Sequence, residues 1–366
     1  MKSPHLTSAD AAIRATRGTP DPSSGRRRGG SGRLLLVVLA SAAALFALFV
    51  LSLALGSRTI PFSHTLAALL HPDGGAEALV IWHLRMPRAL AAVVVGVGLS
   101  AAGLVMQALT RNPLAEPGIL GVNAGASAAV VLGVVLAGAH DAAGYAWWAL
   151  AGAAAAAVVF LLGRGGTGPA SSSGTATGGS SRLRIVLAGT ALGASLGSVT
   201  GIITMVDSAA FDAHRFWVVG SLAGRDMATV EATAPFVLVG AVMTLILCGP
   251  LNVLLLGEDS AAALGVRVGP VRVLALAAIT LLAGGSTALA GPVAFVGLVV
   301  PHVLRLLLGP DLRRLMPLAL VAGPCLVLAS DIIGRVVAAP AEIAVGVVTA
   351  FLGAPTLLWL VVRGRS

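Results

Sequence analysis

The sequence carries very little charge for its length. Charged residues make up 11% of its 366 residues, against roughly 25% in an ordinary soluble globular domain. Aromatic residues are also scarce, at 4%, and there is a single tyrosine. The basic residues occur in short patches between long apolar runs instead of forming one basic face. These features exclude a typical cytosolic enzyme, a disordered protein and a nucleic-acid-binding protein.

Lysine and cysteine are nearly absent as well. Lys2 is the only lysine, and a Walker A loop needs a lysine against the nucleotide phosphates. The chain therefore has no such ATP site of its own. Cys248 and Cys325 both lie in apolar runs, and the seven histidines are scattered without an H-E-x-x-H motif. We expect no disulfide framework, no metal site and no cofactor bound by this chain.

What the sequence does have is long apolar runs. Hydrophobic residues make up 57% of the chain, and its mean hydropathy is +0.95. A helix needs about 20 apolar residues to cross the bilayer. The predicted fold class is an all-α polytopic membrane protein with about ten transmembrane helices. Glycine and proline interrupt two of the runs, so nine or eleven spans stay possible. The runs lie near residues 34–55, 89–109, 118–138, 146–163, 183–206, 232–256, 270–290, 292–309, 315–337 and 343–362.

The polar amino terminus and the distribution of arginine predict the domain organisation and the orientation. Residues 1–33 are polar and basic, which indicates a disordered cytoplasmic tail ahead of a single transmembrane domain over residues 34–366. Ten spans place both termini on one side. The positive-inside rule favours a cytoplasmic location for both, because few of the 24 basic residues then fall in outer segments. Those outer residues are Arg58, Arg85, Arg88, Arg215, Arg225 and Arg335.

One motif has the form of a catalytic site. The sequence from Gly193 to Gly197 matches G-x-S-x-G, which surrounds a serine nucleophile in some hydrolases, and His302 would be its base. A packing role is the better interpretation, because glycine recurs every four residues on one helix and lets another helix approach closely. The stripe consists of Gly189, Gly193, Gly197 and Gly201. We therefore predict no catalytic residue.

Two further segments are informative. Arg85-Met-Pro-Arg88 begins a span on the outer side, where the arginines either anchor the helix at the interface or bind an acidic partner. The segment from Gly257 to Arg267 has acidic residues where a helix would start and a glycine where it would stop. A short cytoplasmic helix there is either a lever for a soluble partner or a tight connection.

Seven blocks of sequence, in chain order over about residues 34–362, resemble the FecCD family, the permease subunits of ABC importers for iron chelates, haem and cobalamin. The blocks are R-M-P-R at 85–88, Q-A-L-T-R-N-P-L-A-E-P-G-I-L-G at 107–121, G-S-L at 220–222, G-E-D-S-A-A-A-L-G-V at 257–266, A-G-P-V-A-F-V-G-L-V-V-P-H at 290–302, L-A-S-D-I-I-G-R at 328–335 and E-I-A-V-G-V-V-T-A-F-L-G-A-P at 342–355. Ala344 and Arg225-Asp226 depart from the usual pattern of the family.

The resemblance implies a bacterial plasma-membrane permease and its partners. These are a second permease subunit, identical or paralogous, two cytoplasmic ATPase subunits that use ATP, and an extracytoplasmic binding protein that delivers a ferric siderophore. It implies that Arg85, Arg88 and Arg335 dock the binding protein. It also implies that the four stripe glycines line the pathway and the dimer interface. The residues implied for ATPase coupling are Gly257, Glu258, Ala261, Leu264 and Gly265.

Other functions stay open on the sequence alone. Haem and cobalamin are alternative cargoes. A self-contained secondary transporter would need acidic residues in the middle of its spans. Asp331 is the nearest case, but Arg335 lies four residues later on the same helix face, which indicates an intrahelical ion pair. An intramembrane protease would depend on Ser195.

Overall fold

The computed structural model describes residues 28–363, apart from 57–59, 72–74, 140 and 165–178. Its contacts divide the chain between Ala40 and Ser41. The first unit contains the start of the first helix, which begins at Arg28, inside the predicted tail. The second unit contains the rest of that helix and all later elements. The rest of the predicted tail, residues 1–27, lies outside the described residues, as does most of the glycine- and serine-rich linker.

The described residues form helices and no strand. Seven segments are long and apolar enough to cross a membrane, and three shorter apolar helices, α5, α12 and α14, accompany them. Together they match the ten predicted runs, which confirms the fold class. The helices are α1 (Arg28–Ala54), α2 (Phe62–Leu70), α3 (Ala76–Leu79), α4 (Met86–Thr110), α5 (Val122–Ala137), α6 (Ala142–Arg164), α7 (Gly179–Val206), α8 (Ser208–Trp217), α9 (Met227–Leu255), α10 (Glu258–Ala263), α11 (Val268–Ala290), α12 (Val296–Leu308), α13 (Leu312–Val337) and α14 (Val345–Arg363).

The two interrupted runs each form one short apolar helix. After α4, Arg111 adopts the left-handed conformation with φ of 51°, and a 3₁₀ turn over Pro117–Leu120 precedes α5. Before α12, Gly291 and Phe295 have φ of 74° and 67°. Left-handed residues end a helix because they break its hydrogen-bond pattern. The irregular backbone therefore lies between helices.

Helix α4 is the central element of the packing. Most of its residues are buried, and it packs against α9, α11, α12 and α13. Glycines in α4 make this close packing possible. An added Cβ at Gly96 would overlap the backbone of α13, and one at Gly98 would overlap the side chain of Ser286 in α11. A Cβ at Gly103 would overlap the carbonyl of Gly297 in α12. In a membrane, such close backbone approach is a main source of helix association.

Polar side chains connect the same helices. The hydroxyl of Ser100 donates to the carbonyl of Ala319 in α13 at 2.8 Å. The side-chain amide of Gln107 donates to the carbonyl of Gly297 in α12 at 2.9 Å. Such hydrogen bonds between membrane helices stabilise by roughly 0.6–2 kcal/mol each. They fix the register of α4 against its neighbours.

We expect Gly103→Ala to destabilise the protein, because its Cβ would overlap the backbone of Gly297. Overpacking of this kind costs about 1–3 kcal/mol. The matched control is Gly269→Ala, an exposed helical position in α11 where a Cβ meets no atom within 4 Å. The thermal unfolding midpoint in detergent should fall for Gly103→Ala alone, and equal midpoints would contradict this account of the packing.

Candidate functional site

Five charged residues meet where α4 begins, α13 ends and α14 begins, and we call them the Arg88 cluster. They are Arg85, Arg88, Asp331, Arg335 and Glu342. The guanidinium of Arg88 binds Asp331 through Nη2 at 2.8 Å and Nε at 3.0 Å, and Glu342 through Nη1 at 2.7 Å. Arg335 pairs with the second oxygen of Asp331 at 3.0 Å. The intrahelical pair predicted from the sequence is therefore confirmed.

The two other arginines hold the end of α1. Nη1 of Arg85 donates to the carbonyls of Leu53 and Ala54 at 2.6 and 2.7 Å. Arg335 donates to the carbonyls of Ser52 and Leu55 at 3.1 and 2.8 Å, and to the hydroxyl of Ser52. The last carbonyls of a helix have no intrahelical partner, and cations there also interact favourably with the helix dipole. The cluster therefore caps α1 and connects it to α4 and α13.

The geometry does not present Arg85, Arg88 and Arg335 as an exposed basic patch. Arg85 and Arg335 are 7% and 3% exposed, and the side chain of Arg88 is 13% exposed. All three are bound by groups of the same chain. Their predicted role in docking stays a prediction, and direct contact with a partner would require these interactions to rearrange. Spacing gives no sign of the cluster, because Arg88 and Asp331 are separated by 243 residues.

A cavity of about 800 Å³ lies beside the cluster. Its lining includes the cluster arginines, Glu342, the segment Ala76–Leu84 in part, and the loop between α8 and α9. Arg225 of that loop also lines a second cavity of about 580 Å³. Sequence reasoning placed Arg225 among the outer basic residues and noted its departure from the family pattern, but it missed the position of this residue between the two cavities.

The predicted coupling segment forms the expected short helix, α10, at the far end of α9. Gly257 and Gly265 flank it with φ of 124° and 80°, a region that favours glycine. Ala261 is fully buried, whereas Leu264 is 64% exposed. Glu258 binds Arg272 of α11 at 2.6 Å, which fixes the helix against its neighbour. The segment therefore presents an apolar side chain from a firmly held turn.

The four stripe glycines do not share one environment. Gly189 is buried, and an added Cβ would overlap the carbonyl of Ile119. At Gly193, Gly197 and Gly201 a Cβ would meet no atom within 4 Å. The stripe thus packs inside the chain at Gly189 and leaves a surface of small residues farther along α7. That surface is compatible with the predicted contact to a second subunit.

The structure gives the G-x-S-x-G motif no catalytic arrangement. The hydroxyl of Ser195 donates to the carbonyl of Ala191, one turn earlier in α7, at 2.9 Å. No hydrogen bond joins it to His302 within the described part of the chain. In the same residues, no group of three or more histidine, cysteine or acidic side chains is placed to hold a metal ion. Beyond Gly189, the packing role of this stripe stays a prediction, because within the described residues a Cβ at the other three glycines would meet no atom within 4 Å.

We expect Asp331→Asn to destabilise the protein strongly. The carboxylate is 2% exposed and pairs with Arg88 and Arg335, so its loss leaves the buried Arg335 without an acidic partner among the described residues, whereas Arg88 keeps Glu342. Breaking a buried pair in this way costs about 3–5 kcal/mol. The control is Asp212→Asn, which removes an exposed pair with Arg215 worth about 0–1 kcal/mol. Thermal unfolding in detergent measures both, and a small effect at Asp331 would show that the cluster contributes little to the fold.

Comparison with known proteins agrees with this architecture. The family model of the FecCD transport family matches residues 44–363. The chain is 44% identical to the ferric enterobactin transport system permease protein FepD of Escherichia coli, over 86% of this chain and 91% of the relative. It is 37% identical to the Fe(3+)-citrate import system permease protein YfmD of Bacillus subtilis, over 86% and 91%.

A solved structure agrees as well. A transporter described as of the metal-chelate ABC type, in an inward-facing conformation, matches with a TM-score of 0.77 and 25% identity, over 90% of this chain and 99% of that one. The match spans nearly all the helices described above. The chain therefore belongs to the FecCD transport family, as a multi-pass transport subunit of the plasma membrane and not an enzyme.

Proposed function

We propose that this chain is the permease subunit of an ABC importer and that it translocates a ferric siderophore across the cytoplasmic membrane. The observation that carries the proposal is the 44% identity to a ferric enterobactin permease over nearly the whole transmembrane domain. A Fe(3+)-citrate permease at 37% identity supports the same class of cargo. Haem and cobalamin are the alternative cargoes, because a haem permease matches at 35% identity and vitamin B12 permeases match at 36–38%.

The proposal includes three kinds of protein partner. A second permease subunit would pack on the open glycine surface of α7, which is suited to close helix contact. Of the two ATPase subunits, one would bind at α10 of each permease, where Leu264 projects from a turn that the Glu258–Arg272 ion pair holds. A binding protein would deliver the chelate at the end with the Arg88 cluster. In this arrangement both termini are cytoplasmic and the Arg88 cluster is outside.

The ATPase partners would supply the energy for a change of conformation. ATP binding must favour one conformer by about 5.5 kcal/mol to raise its population from about 1% to about 99%. The ATP is used entirely by the partner subunits, because Lys2 is the only lysine of this chain. A self-contained ion-coupled transporter is disfavoured, since the nearest candidate for a mid-span acid, Asp331, is bound by two arginines.

The test is uptake of a radiolabelled ferric siderophore into proteoliposomes that contain the full chain, with the ATPase subunit and the binding protein added or omitted. We expect uptake that requires ATP and both partners. Uptake by this chain alone on an ion gradient would overturn the proposal. Uptake of haem or cobalamin with no uptake of siderophore would keep the importer and replace the cargo.

The coupling role of α10 gives a separate prediction. We expect Leu264→Ser to weaken association with the ATPase subunit by about tenfold, since a leucine buried at an interface stabilises it by roughly 1.5–3 kcal/mol. The control is Leu136→Ser at the end of α5, where the side chain is 72% exposed. Copurification of the ATPase subunit measures both variants. If the two variants copurify the same amount of ATPase subunit, the contact with that subunit does not depend on Leu264.

A further inference from the structure

Arg225 lies on a loop that the fold holds in place. The loop joins α8 to α9, and its backbone is attached to two other helices. The amide of Ser221 donates to the carbonyl of Ala290 at the end of α11, at 2.8 Å. The amide of Gly346 in α14 donates to the carbonyl of Gly220 at 3.0 Å. A side chain on this loop therefore starts from a fixed position, which lowers the entropic cost of binding a ligand.

Two cavities share the side chain of Arg225 as part of their lining. The larger cavity has a volume of about 800 Å³, and its lining includes the charged side chains of the Arg88 cluster other than Asp331. The smaller cavity has a volume of about 580 Å³. Both volumes fall within the roughly 300–1,000 Å³ of small-molecule sites. The smaller cavity is lined by the aromatic residues Tyr145, Phe216 and Trp217, and also by Asp212, whose carboxylate pairs with Arg215. Among the described residues, the buried indole nitrogen of Trp217 has no hydrogen-bond partner.

The other charged groups of the larger cavity are already engaged. The members of the Arg88 cluster bind one another or the carbonyls of α1, as described above. The carboxylate of Asp226 caps α9, where it accepts hydrogen bonds from the amide of Thr229 at 3.0 Å and from its hydroxyl. Glu77 lies 3.0 Å from the ring of His64. These groups therefore already have close partners within the chain.

Arg225 differs from the cluster arginines, which bind carboxylates or the carbonyls of α1 at close range, because in the described residues it forms no ion pair with a carboxylate. Its Nε donates to the carbonyl of Ser221 over a long 3.4 Å. The side chain is half-buried, and burial lowers the pKa of its guanidinium from the ordinary value, with nearby Asp226 opposing that shift only in part. A partly desolvated guanidinium without a paired carboxylate binds oxygen anions well, because its planar N–H groups can donate two parallel hydrogen bonds to two oxygen atoms.

We propose that Arg225 anchors an anionic ferric chelate in these two cavities, with its guanidinium bound to oxygen atoms of the ligand. This inference rests on the proposed function and adds a subsite to it. The aromatic side chains of the smaller cavity give planar ligand rings a surface for stacking. An acidic side chain of a delivery protein has the same oxygen chemistry, and the experiment below separates the two sources.

The choice of chelate makes the role of charge measurable. Each catecholate contributes two negative charges to Fe(III) and each hydroxamate contributes one. A ferric tris-catecholate is therefore anionic, and a ferric tris-hydroxamate is neutral. A site that depends on the charge of Arg225 distinguishes the two, whereas a site that depends only on shape or on the fold of the loop does not.

The experiment is equilibrium dialysis of each radio-iron chelate against the full chain, assembled with its ATPase subunit in nanodiscs. For Arg225→Gln we expect the dissociation constant of the tris-catecholate to rise about tenfold, as for the loss of a charged hydrogen bond. Binding of the tris-hydroxamate should not change. Arg225→Lys should fall between Arg225→Gln and the unmodified chain. The control is Arg314→Gln, which removes an exposed arginine with one ion pair in its own helix and should change neither constant.

Two results would overturn the inference. One is equal binding of the tris-catecholate by Arg225→Gln and the unmodified chain. The other is weaker docking of the unloaded binding protein to Arg225→Gln with chelate binding unchanged, since the oxygen anion would then belong to the protein. Both differ from failure of the proposed function, in which the unmodified chain shows no uptake that depends on ATP and the binding protein.

Discussion

Close backbone contact along α4 is the constraint on which the rest of this structure depends. Lipid is as apolar as a leucine side chain, so burial of hydrophobic surface does little to hold membrane helices together. Gly96, Gly98 and Gly103 instead let α13, α11 and α12 approach the backbone of α4. Three helices are thereby fixed on one, and the start of α4 carries the arginines of the charged cluster into contact with α13 and α14.

The Arg88 cluster shows how charge is accommodated where apolar helices end. Each guanidinium is bound either to a carboxylate or to the carbonyls that α1 leaves without partners. Removing one partner of a buried ion pair is costly, but the intact pair adds little net stability compared with apolar residues of similar size. Its contribution is therefore geometric, since it sets where three helices end. Arg225 lies beside this cluster, and among the described residues its guanidinium has one long hydrogen bond, to the carbonyl of Ser221; that contrast is the basis for proposing it as a ligand-binding group.

The features at the two ends of α9 and α11 correspond to the two proposed roles, which are cargo binding at one end and ATPase binding at the other. At one end, cavities and arginines lie beside a loop that is attached to α11 and α14. At the other, α10 presents an exposed leucine from a turn held by an ion pair. Helices α9 and α11 connect the two ends and pack against the central α4. A shift of α10 would therefore reach the cavities through packed helices, without a mobile linker between them.

The sequence by itself determined the class of protein, the ten apolar runs, the short helix before Arg272 and the missing ATP site. These follow from local properties: the length of apolar stretches, the helix signals at Glu258 and Gly265, and the near absence of lysine. Only the tertiary structure decided that Arg85 and Arg335 are buried on the carbonyls of α1, that Asp331 joins Arg88, and that Arg225 lies between two cavities. Those facts depend on contacts between residues far apart in the chain. Spacing cannot reveal them, because the helices could pack in several orders with the same apolar pattern.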